Sequence, residues 1–165
     1  MSWQAREERQ GEEAAIRALV ERAFAGHAHS DGTEPDIVER LRQERSPTLS
    51  LVVEDGGRIV GHIAFSPVTI SDGTIGWFGL GPVSVEPDRQ NDGIGSALCR
   101  QGLLRIKADG AMGCVVLGDA EYYARFGFAC DPDLTFPGVP PEYFQRLRFG
   151  GPEPRGEVRY SPAFG

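Results

Sequence analysis

Residues Leu80 to Leu98 hold the arrangement that most restricts what this chain can become. A strand-like run, Val83-Ser84-Val85, stops at Pro87, a polar turn follows, and Gly93 and Gly95 open a helix. Strand, glycine-rich turn and helix in that order aim backbone N–H groups at a ligand above the turn, because the first four N–H groups of a helix have no partner within it. Phosphate is the natural ligand of such a helix end. Gly93 and Gly95 lack a Cβ, so an anion can approach the backbone closely, and Arg89 adds a positive side chain beside the turn. A bare Gly-x-Gly is shared with ordinary turns, so its surroundings decide its meaning. A Walker loop needs a Gly-Lys-Ser/Thr ending that is absent, and a dinucleotide fingerprint needs glycine or alanine where this chain has Leu98.

The flanking segments read as an α/β chain. Ser2 to Arg6 is a candidate edge strand. From Glu12 to Phe24, Ile16, Leu19, Val20, Ala23 and Phe24 recur at helical spacing. Gly26 to Thr33 reads as a loop, and Glu34 to Arg45 as a more polar helix with Pro35 in its first turn, placed to cover a cleft. The period then changes: Thr48 to Glu54, Arg58 to Ile70 and Thr74 to Glu86 are rich in Val, Ile, Phe and Thr. Asp55-Gly56-Gly57 and Asp72-Gly73 separate them, and Asp-Gly between apolar runs predicts hairpins, hence three consecutive antiparallel strands. A helix is predicted over Asp92 to Ala108, a buried strand at Cys114 to Leu117, and a helical turn over Asp119 to Phe126. One more strand, lined by aromatics, is expected near Glu157 to Ser161.

Charge and cysteines narrow the partners. With 17 Lys+Arg against 24 Asp+Glu the net charge is −7, which excludes charge-driven nucleic-acid binding while leaving room for a local anion site. Cys99, Cys114 and Cys130 are widely spaced, with no CxxC, so neither a disulfide framework nor a zinc knuckle is expected and a reducing compartment fits. Met1 to Glu7 has no apolar signal-peptide core, and no apolar run approaches the roughly 20 residues of a membrane span. A cytoplasmic chain of one domain, residues 1–165, with no nucleic-acid or membrane partner, is therefore expected. His27, His29 and Asp31 sit at i, i+2 spacing with no second cluster to support them, so no metal is expected.

Two separated stretches resemble the GCN5-related N-acetyltransferase (GNAT) superfamily. Gln90-x-x-Gly93-x-Gly95 after Val83-Ser84-Val85-Glu86-Pro87 is similar to its motif A, and Tyr123-Ala124-Arg125-Phe126-Gly127-Phe128 is similar to its Y-x-x-x-G-F. Val116 to Tyr123 and the ending Gly156 to Phe164 resemble, more narrowly, a branch of predicted bacterial acetyltransferases. The resemblance covers nearly the whole chain, in the expected order.

It implies a GNAT-type acyl-CoA N-acyltransferase fold, α/β (α+β) in class. Its sheet is mixed and mostly antiparallel, of about six to seven strands flanked by helices, and splayed between the fourth and fifth strands. It also implies acetyl-CoA as acetyl donor and direct transfer to a primary amine of a small-molecule or peptide acceptor; a monomer or homodimer without a metal is expected. The cofactor-binding residues it implies are Val83, Ser84, Val85, Arg89, Gln90, Asn91, Asp92, Gly93, Ile94, Gly95, Ser96 and Asp119. Asp119 stands where many members place an asparagine. Pro82 removes a ladder donor where the strand pairing is expected to open, which would leave Val83 and Val85 facing the pantetheine amides.

Tyr123 is the implied catalytic acid, because a phenol with a reference pKa of about 10 stays protonated beside a thiolate leaving group. Tyr122, on another helix face, reads as structural, and Cys99 and Cys114 as small buried hydrophobes. Glu86, Asp119, Glu121 and His62 are unranked candidates for the base. The alternative from another class is a non-catalytic acyl-CoA sensor or partner-binding module on the same fold; a longer acyl donor is a further variant.

Overall fold

The computed structural model describes residues 3–26, 32–44 and 49–164. Along the chain come β1 (Ala5–Glu7), α1 (Glu13–Phe24), α2 (Glu34–Gln43), β2 (Leu49–Asp55), β3 (Arg58–Pro67), β4 (Thr69–Ile70) and β5 (Trp77–Val85). After them come α3 (Ile94–Ala108), β6 (Gly113–Leu117), α4 (Ala120–Tyr123), β7 (Leu134–Thr135), β8 (Phe144–Arg148) and β9 (Gly156–Arg159). The main sheet has six strands in the order β1-β2-β3-β5-β6-β8, and a small second sheet has the order β4-β9-β7. Only β5 and β6 run parallel in the main sheet. The expected mixed, mostly antiparallel sheet is present.

Turn chemistry sets the register of its centre. Gly56 and Gly57 take φ of 60° and 80° in the two-residue loop that pairs Asp55 with Arg58, the conformation a tight hairpin demands. The second predicted strand divides: Thr69 and Ile70 leave the main sheet and pair with Arg159 and Val158 of β9. The Asp72-Gly73 turn then returns the chain to β5, with Asp72 Oδ1 accepting the Thr74 N–H at 2.8 Å.

Alternate residues along each strand feed opposite layers. Leu51 and Val53 pack with Ile63, Phe65, Leu98 and Leu103 under α3, while Val52 joins Ile16, Leu19, Val20 and Val38 under α1 and α2. Contact with α3 is close at Gly102, where an added Cβ would stand 2.3 Å from Cε2 of the buried Phe65 ring. Gly102→Val is therefore expected to cost about 3 kcal/mol by overpacking, a Tm drop on the order of 6–12 °C that calorimetry would register.

Two main elements escaped the sequence. β8 forms the sixth strand against β6, and β7 joins the second sheet. Phe144 and Leu147 of β8 are three residues apart, which is not strand spacing; the strand exists because β6 offers it a ladder from Gly113↔Arg148 to Leu117↔Phe144.

Candidate active site

Pairing between β5 and β6 runs from Trp77↔Gly113 to Leu80↔Val116 and stops there. On its other side β5 stays paired with β3 as far as Val85, through an irregularity where Ile63 and Phe65 oppose Val83 and Leu80. The sheet opens between its fourth and fifth strands at Gly81-Pro82, as expected. The open edge has polar character because antiparallel ladders alternate their hydrogen bonds. The Glu86 N–H bonds the Val60 carbonyl at 2.8 Å, so the next bonded pair is Ser84 with His62, and the N–H and C=O groups of Val83 and Val85 point away from β3 into the opening.

At the end of β5 the chain makes a short 3-10 turn, Pro87–Arg89, and enters α3. Gly93 stands before the helix at φ 86°, a left-handed conformation that favours glycine, and no side chain caps the helix. The first intrahelical bond is Ala97 N–H to the Gly93 carbonyl, 3.1 Å, so the amides of Ile94, Gly95 and Ser96 are left for a ligand. These two features share one cleft of about 600 Å³. Val83, Val85, Arg89, Gln90, Asn91, Gly93, Ile94, Gly95 and Ser96 all line it, together with Ala23, Phe24, Tyr122 and Arg125.

Three of the expected cofactor residues do not line the cleft. Ser84 is buried on the opposite sheet face, beside His62. The Asp92 carbonyl accepts the Trp3 indole N–H at 2.9 Å, and the Asp92 carboxylate lies 3.5 Å from Arg89. The Asp119 carboxylate accepts the Glu121 N–H at 3.0 Å, capping α4. Arg89 is also engaged: Asp55 holds its guanidinium, and the side chain lies over the Trp3 ring. The free groups at the start of α3 are thus chiefly backbone, and Trp3 props their loop from 89 residues away.

The two adjacent tyrosines take different places. Tyr122 lines the cleft at its cradle end, with its hydroxyl 3.5 Å from Ser96 Oγ and Arg125 stacked 4.2 Å over its ring. Tyr122, expected to be structural, thus borders the cleft. Tyr123 packs edge-on against Tyr122 and Phe128, beside Phe126, and burial pushes its phenol well above the ordinary tyrosine value. Its ring lies under Gly118 at the end of β6, where an added Cβ would stand 2.6 Å from Cε2. That contact accounts for glycine after β6.

No carboxylate lines the cleft among the described residues. Glu86 is 4% exposed and clamped by Arg22 at 2.8 and 2.7 Å, with Arg58 at 3.3 Å, so hydrogen bonds from Arg22 hold its carboxyl below the usual range. The pair ties the last turn of α1, and so Ala23 and Phe24, to the end of β5. His62 is wholly buried on the α1/α2 face, 2.8 Å from Ser50 Oγ, and burial lowers its pKa to about 3. His27, His29 and Asp31 lie outside the described residues; no group of three metal-ligating side chains occurs among the described ones. No helix among them is long and apolar enough to cross a membrane.

Glu86→Gln is expected to cost about 2 kcal/mol, since it removes charged hydrogen bonds from a buried site. The sign follows from the lowered native pKa. Glu86 contributes its stability above the unfolded carboxylate value, and loses it as pH falls through the native one. Thermal melts of the two proteins across pH should therefore converge in acid.

The model of the acetyltransferase (GNAT) domain matches residues 4–130. This chain belongs to the GNAT acetyltransferase family. It is 35% identical over 114 residues to the uncharacterized N-acetyltransferase YhbS of Escherichia coli K12, covering 68% of this chain and 65% of YhbS. With the uncharacterized N-acetyltransferase YjhQ it shares 35% over 132 residues, 76% of this chain and 70% of YjhQ. Among solved structures, a GNAT acetyltransferase from Brucella melitensis, in complex with acetyl-CoA, superposes with a TM-score of 0.88 at 47% identity, over 99% of both chains. E. coli YhbS in complex with CoA gives 0.88 at 30%, over 98% of this chain and 91% of that one. The GNAT fold is thus established along the chain, with the cradle and the open strand edge inside the matched residues.

Proposed function

We propose that this GNAT chain is an N-acetyltransferase that moves the acetyl group of acetyl-CoA directly to a primary amine of a small-molecule or peptide acceptor. One observation carries the reading. The unpaired edge of Val83 and Val85 runs into the uncapped start of α3 within a single cleft, so amide-binding and phosphate-binding groups stand in series. A chain of amides ending in a pyrophosphate fits that series, and the Brucella relative was solved with acetyl-CoA.

Acetyl-CoA supplies the acetyl group as an activated thioester. Backbone groups of Val83 and Val85 bind the pantetheine arm and polarise the thioester carbonyl, a fixed dipole where negative charge develops. The amides of Ile94, Gly95 and Ser96 hold the pyrophosphate without adding formal charge, so a protein of net charge −7 keeps its anion site. Tyr123 protonates the departing thiolate. Its place under Gly118, at the β6 side of the opening, supports that role, whereas Tyr122 stands at the phosphate end. With Glu86 clamped and His62 on the far face, proton removal from the amine falls to solvent in the cleft. We place this activity in the cytoplasm and assign it to residues 1–165 acting as one domain.

The test is thiol release on mixing the protein with acetyl-CoA and a panel of polyamines, aminoglycosides and free-amine peptides, with the acetylated product identified by mass. Turnover of one class supports the reading and names the acceptor. Binding of CoA without turnover of any amine would favour a sensor instead.

A further inference from the structure

A second concavity, of about 460 Å³, lies on the sheet face that carries α1 and α2, and it shares no lining residue with the cleft at Val83 and Gly93. Its floor is apolar where Val38, Leu41 and Ala64 meet, and polar where Ser50 of β2 stands beside His62 of β3. Glu7, Glu8, Glu13 and Arg42 form the rim, so three carboxylates face one guanidinium. Two of the three are engaged. Arg42 holds both oxygens of Glu8, at 3.1 and 2.9 Å, and Glu7 reaches Arg105 at 3.0 Å. Glu13 is exposed and accepts the Gly11 N–H at 2.9 Å, but no basic side chain lies within ion-pair distance of it among the described residues.

The inner wall offers an open hydrogen-bonding position. His62 is wholly buried and neutral, because burial, and then the charge of Arg42, lower its pKa to about 3. A neutral imidazole shares one proton between two nitrogens, so with Nε2 bonded to Ser50 Oγ at 2.8 Å, Nδ1 is left as either a donor or an acceptor. Nδ1 has no partner among the described residues. A buried polar atom without a partner is costly, and a ligand group that reaches it removes the cost.

Charge decides what each end of such a ligand must be. A cation at the inner wall would be desolvated beside Arg42, so the group that meets His62 is uncharged. A hydroxyl serves there with either tautomer, since it both donates and accepts. At the rim, Glu13 favours a cation, and between the two ends an aliphatic stem covers Val38, Leu41 and Ala64. We propose that this cavity binds a small aliphatic amino alcohol, with its ammonium group at Glu13 and its hydroxyl at His62 Nδ1. The site is additional to the cleft in which acetyl transfer is placed, and it needs no coenzyme to form.

Three probes of equal chain length test it on the protein alone: 4-aminobutan-1-ol, butan-1-ol and 4-hydroxybutyrate, each followed by the ring-nitrogen NMR signals of His62. The amino alcohol should move the Nδ1 signal to saturation and bind about fivefold more tightly than butan-1-ol, the gain expected from one exposed charge pair. The hydroxy acid brings a like charge to Glu13 and should bind more weakly than butan-1-ol. Glu13→Gln, a change at an exposed position, should erase the advantage of the amino alcohol and leave butan-1-ol unaffected. A His62 signal that the amino alcohol does not move, equal affinity for the three probes, or an advantage that survives Glu13→Gln overturns the proposal. Each of those results leaves the acetyltransferase reading standing, because that reading is tested by coenzyme binding and thiol release in a cleft with no residue in common.

Discussion

Gly95→Asp is expected to abolish measurable coenzyme A binding while leaving the fold at least as stable. Space is not the obstacle: a Cβ at Gly95 would make ordinary contacts, 3.5 Å from the Tyr122 hydroxyl and 3.6 Å from Val85. A carboxylate in the first turn of α3 is favourable for the helix itself, because it faces the positive end of the helix dipole. The same carboxylate occupies the position assigned to the pyrophosphate. Like charges about 4 Å apart at a protein surface repel by about 4 kcal/mol, so affinity should fall by at least about a hundredfold. Calorimetry for binding and a thermal melt for stability would move in opposite directions. If affinity held, the pyrophosphate would not lie on these amides.

Tyr123→Phe should lower kcat by about two to four orders of magnitude, the range for loss of a positioned general acid, with the dissociation constant of coenzyme A unchanged. The ring and its packing against Gly118, Tyr122 and Phe128 are retained, and the hydroxyl makes no hydrogen bond to a described residue, so the fold has little to lose. Burial raises the phenol's pKa, which keeps the proton available at every pH near neutrality. Tyr122→Phe, at the cradle end, should instead change affinity more than kcat. A Tyr123→Phe protein with full kcat would move the acid elsewhere.

The proposed cradle was legible because it is main-chain: Gly93 and Gly95 after a strand ending at Pro87 report the backbone conformation directly. The centre of the sheet was legible because Gly56 and Gly57 supply the positive φ that a tight hairpin needs. What the sequence hid depends on distant partners. The Arg22–Glu86 clamp joins residues 64 apart. Helical phase separates adjacent tyrosines but does not say which faces the cleft, so Tyr122's place on the cleft wall emerged only from the packing of Arg125 and Ser96 around it. Glu86, next to the motif and a natural candidate for a base, is occupied by two arginines.

The central claim is that an unpaired strand edge and an uncapped helix start together form the coenzyme site. Amide hydrogen exchange, read residue by residue with and without coenzyme A, tests it most directly. Binding should slow exchange at Val83, Val85 and Ile94 to Ser96, while Ser84, already bonded across to β3, changes little. Binding without protection at Val83, Val85 and the first turn of α3 would contradict it.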